Sequence, residues 1–151
     1  MSNTTVRVFP DDDLHRLLRR MVQSGLLEPH DHDGVVASAS EVFALGELAE
    51  AGPLSQQELG GRLGLEKSTV SRLAAGLERR GWLLRERDPD NRRFYRLALT
   101  EEGRDVARRI GEHIRAGHDR LLAALTDEER AGLTLGLAAL ARAMGRPCPP
   151  A

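Results

Sequence analysis

The chain has one cysteine, Cys148, in 151 residues. No intrachain disulfide can form, so the stapled architecture of small secreted domains is excluded. Aromatics are scarce, with three Phe, one Tyr and one Trp. Leucine and alanine must then supply most of the packing, which favours helices over sheets. No apolar run approaches the roughly 20 residues of a membrane-spanning helix. The opening MSNTTVRVFPDDD lacks the apolar core of a signal peptide. A cytoplasmic protein with no membrane partner is the expectation.

Net charge is also nearly missing, at −1. Spread evenly, that balance would argue against a polyanionic partner. It is not spread evenly. Residues 1–61 hold 4 Lys+Arg and 10 Asp+Glu, residues 62–96 hold 10 and 5, and residues 97–151 hold 8 of each. The cationic excess therefore falls in one segment of the middle of the chain, where phosphate contacts would need it.

What the sequence does have is helical periodicity and punctuation. At this length, with 40% apolar residues, one domain is the simplest expectation. Asp11, Asp12 and Asp13 precede Leu14, Leu17, Leu18 and Met21, which predicts a first helix ending near Gly25. Residues 26–37 form a connection broken by Pro29 and Gly34. Ser38 and Glu41 have the S-x-x-E spacing of a capping box and open a second helix, with Val42, Leu45, Leu48 and Ala49 on one face. Ser55 and Glu58 repeat the spacing and open a third, short helix that turns at Gly64. A fourth begins near Glu66, with Val70, Leu73, Ala74 and Leu77 inward, and stops at Gly81.

Two β-prone runs follow, Trp82 to Arg87 and Phe94 to Leu99, joined by the turn-rich Asp88-Pro-Asp-Asn91, which predicts an antiparallel hairpin. Thr100 opens a long helix carrying Val106, Ile110, Ile114, Leu121 and Leu125. Thr126 and Glu129 form a third capping box before a last helix bearing Leu133, Leu137, Leu140 and Met144. The fold class is mainly α with a small β-hairpin wing: a winged helix-turn-helix flanked by N- and C-terminal helices.

The fourth helix presents Lys67, Ser68, Thr69, Ser71 and Arg72 opposite its apolar face. Short hydroxyls near a helix N-terminus reach phosphates or base edges without steric blockage, and arginine forks onto guanine O6/N7. The hairpin tip holds Arg92 and Arg93, flanked by Arg87 and Arg96. So many cations in a small area repel one another unless an anion is near. A tip arginine suits the narrow minor groove, where negative potential is strongest. Taken singly, each feature also fits an ordinary solvated helix face or a loop of surface ion pairs.

Together, LSQQEL, KSTVSRL, LERRGW, DPDNRR and LTEEG, in that order over about 50 residues, resemble the winged helix-turn-helix of the multiple antibiotic resistance regulator (MarR) family. The resemblance implies a homodimeric, sequence-specific transcription regulator of double-stranded DNA. It implies a single domain over 1–151, with dimerisation helices in 1–37 and 101–146 and the winged helix-turn-helix in 38–100. Ser68, Thr69, Ser71 and Arg72 match the recognition-helix positions, and Arg92 and Arg93 the paired wing arginines. Ser55, Lys67 and Arg87 complete the expected DNA-binding set. Two half-sites about 34 Å apart would make the operator a rough palindrome. Repression is the expected outcome for a short dimer that blocks a promoter. One departure is Asn91, where the family has aspartate, leaving Asp88 or Asp90 to hold the arginines.

The family often responds to a small effector. Met21, Val42, Leu45 and Ile110 are the candidate pocket residues, and plain core residues are the alternative. His30-Asp-His32-Asp33 supplies metal-ligand types, and His113 or His118 could join them, so a zinc-sensing regulator is the alternative function. The competing reading is a solvated polar loop. A winged-helix protein-interaction module and a metal-dependent hydrolase are further alternatives. The first leaves the hydroxyl-and-arginine face without a purpose. The second lacks the remaining spaced His and Asp ligands of that class. No cofactor and no enzymatic activity are expected.

Overall fold

A computed structural model describes residues 34–145, together with Leu17 and Met21. Both of these residues are helical, and both fall in the first helix predicted from the sequence. The rest of that helix, the His30-to-Asp33 stretch and the tail bearing Cys148 lie outside the described residues. The described order is α1 (Ala39–Ala51), α2 (Gln56–Leu63), α3 (Lys67–Arg79), β1 (Leu83–Arg87), β2 (Tyr95–Leu99), α4 (Glu101–Ala123) and α5 (Asp127–Ala143). The mainly helical class and the single hairpin agree with the sequence reading.

Each capping box forms. The Ser38 N–H donates to Glu41 at 2.8 Å and the Glu41 N–H to Ser38 Oγ at 3.3 Å. Ser55 and Glu58 exchange bonds of 2.7 and 3.1 Å, and Thr126 and Glu129 bonds of 2.8 and 3.2 Å. Each pair satisfies two of the N–H groups that a helix start leaves open. At the start of α4, Thr100 Oγ1 accepts from the Gly103 N–H at 2.9 Å and donates to the Gly81 carbonyl at 2.6 Å. By contrast, Glu66, the N-cap of α3, makes no side-chain cap.

The contacts divide the chain into two compact units, residues 1–110 and 111–151. In the first, Leu45, Leu59, Val70, Leu77 and Leu97 have almost no exposed surface. β1 and β2 pair antiparallel, from Leu83 opposite Leu99 to Arg87 opposite Tyr95. Leu97 also bonds in both directions to Leu54, at 2.7 and 3.1 Å, so the segment before α2 lies along the inner edge of the hairpin. Gly103 packs so tightly on the Trp82 backbone that a Cβ there would overlap the Trp82 carbonyl oxygen. Only glycine lets the first turn of α4 seat against the hairpin this way.

Two face assignments change. Ala44 is fully buried, whereas Ala49, on the predicted apolar face of α1, is exposed and opens onto a cleft. On α4, Val106 and Ile110 are buried, Ile114 is half-buried and Leu121 is exposed, while Leu125, half-buried, falls in the turn after the helix. In the second unit α5 has no buried residue. Among the described residues no helix is long and apolar enough to cross a membrane.

Candidate nucleic-acid interface

The helix-turn-helix is set by a close approach. A Cβ at Gly60 would stand 3.1 Å from Val70 Cγ2 and 3.2 Å from the Leu65 carbonyl, so glycine lets α2 lie directly against α3. Gly64 makes the turn at φ 66°, in the left-handed region. Val70, Ala74 and Leu77 then point inward without exposure, and Leu73 is half-buried. Lys67, Ser68, Ser71 and Arg72 are exposed and Thr69 is half-buried. Ser55 uses its hydroxyl in the α2 cap and is half-buried.

The wing is held by its own side chains. Asp88 Oδ1 accepts the N–H groups of Asp90 and Asn91 at 2.8 and 3.0 Å, and Oδ2 accepts Arg96 Nε at 2.7 Å. Arg96 first, then those N–H groups, hold the Asp88 carboxyl below the usual carboxylate range. Asn91 Oδ1 accepts the Arg93 N–H at 3.2 Å. Asp88 therefore braces the turn and Arg96, neither Asp88 nor Asp90 pairs with the Arg92 or Arg93 side chain among the described residues, and Asn91 keeps an acceptor role at the tip.

The ten cations of residues 62–96 sort into two sets. Five are engaged within the protein. Arg62 pairs with Glu47 at 3.0 Å and Arg96 with Asp88. Arg85 Nε donates to Glu78 at 3.0 Å, and its Nη1 reaches Gln56 at 3.2 Å. Arg80 pairs with Glu41 at 3.2 Å, donates to the Val36 carbonyl at 2.7 Å and lies 3.6 Å from the Trp82 ring centroid. Arg87 donates to the Arg92 carbonyl at 2.6 Å. Burial pushes the Glu41 carboxyl up, but Ser38 and Arg80 outweigh it and leave the group below its ordinary value.

The other five, Lys67, Arg72, Arg79, Arg92 and Arg93, are exposed, and their side chains have no hydrogen-bond or ion-pair partner among the described residues. Four of these five belong to the DNA-binding set predicted from the sequence. The engagements of Arg80 and Arg87 escaped the sequence reading. The one local hint was Trp82, two residues after Arg80, since a guanidinium stacks on an indole face.

The predicted effector residues divide between core and surface, and most of the predicted metal residues lie outside the described residues. Val42, Leu45 and Ile110 are 7%, 1% and 2% exposed and sit in the core, whereas Met21 is exposed. A cleft of about 450 Å³ in the first unit is instead lined by Leu48, Ala49, Pro53, Leu99, Arg104 and their neighbours. His113 lies on α4, His30 and His32 fall outside the described residues, and among the described residues no three His, Cys, Asp or Glu side chains are grouped to hold a metal ion.

Residues 37–94 match the sequence profile of the MarR family. The chain is 30% identical over 112 residues to the HTH-type transcriptional repressor MdtR of Bacillus subtilis, covering 74% of this chain and 71% of MdtR. Among solved structures, a MarR family protein from Bacillus stearothermophilus superposes with a TM-score of 0.72 at 26% identity, covering 89% of this chain and 94% of that one. The PcaV transcriptional regulator of Streptomyces coelicolor, in complex with its natural ligand, gives 0.66 at 28% identity over 95% and 99% of the two chains. With the helix-turn-helix and wing in place and these matches beside them, the chain belongs to the MarR family of DNA-binding transcriptional regulators.

Proposed function

We propose that the chain is a ligand-responsive repressor that binds a palindromic operator as a homodimer, with α3 in the major groove and the wing arginines in the minor groove. The sorting of the cations carries this reading. The engaged arginines neutralise acids or brace the fold, while Lys67, Arg72, Arg92 and Arg93 keep their donors for phosphates and base edges. The uncapped start of α3 adds open N–H groups beside Ser68 and Thr69.

Homodimerisation is supported by α5 and its C-cap, where Leu133, Leu137, Leu140 and Met144 are 38–64% exposed at helical spacing. An apolar stripe of this kind is covered by pairing across a two-fold axis. Repression is supported by the likeness to MdtR, and response to a ligand by the likeness to PcaV, which was solved with its natural ligand.

The test is selection of bound duplex from a random pool, followed by titration of the winning sequence at several salt concentrations. Arg72→Ala is expected to relax preference at one base position, at a cost of about 1–3 kcal/mol. Arg92→Ala/Arg93→Ala is expected to weaken binding to all sequences and to flatten the salt dependence. If the double variant bound like wild type at every salt concentration, the wing would have no DNA role.

A further inference from the structure

From its charge, Arg87 reads as one more phosphate contact at the end of β1. The structure commits it elsewhere. Its Nη1 donates to the main-chain carbonyl of Arg92 at 2.6 Å, and its guanidinium lies 5.1 Å from the ring centroid of Tyr95, its cross-strand partner. One donor and one face of the guanidinium are thus already used, which ties the tip of the wing back to its base.

Two other side chains grip the same turn. Asp88 accepts the Asp90 and Asn91 N–H groups, and Asn91 accepts the Arg93 N–H. Phe94 closes it from beyond, exchanging backbone bonds of 2.9 Å with Asp88 and Asn91. Within this turn the Arg92 carbonyl is held by Arg87, and the Arg93 N–H by Asn91. The backbone of both arginines is anchored while their side chains have no partner among the described residues.

The geometry points to Arg87 as a positioning residue of the wing: it acts on DNA through Arg92 and Arg93 rather than by touching a phosphate itself. A tip fixed beforehand loses less conformational freedom on binding, so its contacts yield more affinity. This rests on the reading that the wing arginines contact DNA.

The test is a mutant cycle on a duplex selected by the wild-type protein, titrated across salt concentrations. It uses Arg87→Ala and Arg87→Lys, each made alone and in an Arg92→Ala/Arg93→Ala background. Melting temperatures confirm that every variant is folded. Arg87→Ala alone is expected to weaken binding about 5- to 10-fold, and less than about 2-fold in the double-alanine background, where nothing remains to be positioned. The salt slope of the triple variant should equal that of the double. Arg87→Lys keeps a donor and the charge but not the planar stack, so it should recover part of the loss in the wild-type background only.

An equal loss in both backgrounds, with the slope falling by a further ~0.9 in the triple variant, would make Arg87 a phosphate contact and overturn the proposal. Full wild-type affinity for Arg87→Lys would overturn it as well. Failure of the underlying reading is separately visible, because Arg92→Ala/Arg93→Ala would then bind as wild type does.

Discussion

The winged helix-turn-helix and the helices after Ile110 solve the problem of apolar surface differently. In residues 34–110 the hairpin and three short helices enclose Leu45, Leu59, Val70, Leu77 and Leu97 almost completely. In the described part of the second unit, α5 buries nothing and leaves Leu135 at 73% and Met144 at 64% exposure. The first region closes its own core. In the second, the leucine-rich pattern of α5 is left unburied among the described residues. Apolar periodicity thus says that a face will be covered, not what covers it.

The contrast breaks first at a core leucine. Leu59→Ala is expected to destabilise the protein by about 2–5 kcal/mol, whereas Leu135→Ala should stay within about 0.5 kcal/mol. Chemical denaturation of both variants measures the difference, and equal losses would mean the two regions are not built differently. Next comes Leu137→Asp/Leu140→Asp, which should leave a folded monomer by sedimentation and lower operator affinity by about 100-fold or more, since half-sites bound singly lose their effective concentration. Wild-type melting should also rise with protein concentration, as it does when folding and pairing are linked.

The smallest expected effect is one the two regions share. The first-turn partners Ser55 and Thr126 hold Glu58 and Glu129 below their ordinary carboxylate values. Groups depressed in the folded state contribute stability above their unfolded pKa and lose it as pH falls through the folded value. Melting temperature should therefore decline below about pH 4.5, and Glu58→Gln and Glu129→Gln should each flatten that decline slightly. A variant whose acid limb matched wild type would show that its cap adds no pH-dependent stability.

The local features of this fold were legible in the sequence. Ser38, Ser55 and Thr126 each stand three residues before a glutamate, and that spacing alone specifies the cap. The inward face of α3 followed from Val70, Ala74 and Leu77 for the same reason. Contacts closed over long separations were not legible. Nothing at Leu54 announces its bond to Leu97, and nothing at Arg80 announces Glu41 or the Val36 carbonyl 44 residues away. Charge counting located the cationic segment, but it could not separate Arg85 and Arg96, which have carboxylate partners, from Arg72 and Arg92, which have none among the described residues. Ala44 and Ala49 show the same limit at small scale: both are alanines on one helix, and only the neighbouring elements decide which is enclosed.

The missing cap of α3 has a consequence that can be read as a clock. In α1, α2 and α5 the third N–H of the helix, at Glu41, Glu58 and Glu129, is already bonded to a hydroxyl. The equivalent group of α3 belongs to Thr69 and has no side-chain cap. In deuterated solvent the Thr69 amide should exchange ahead of the other three, because exchange proceeds from groups that are open to water. Bound duplex, by lending a phosphate oxygen as the absent acceptor, should slow Thr69 selectively and leave the other three unchanged. One amide would then report, residue by residue and without a label, when the helix is completed by its target.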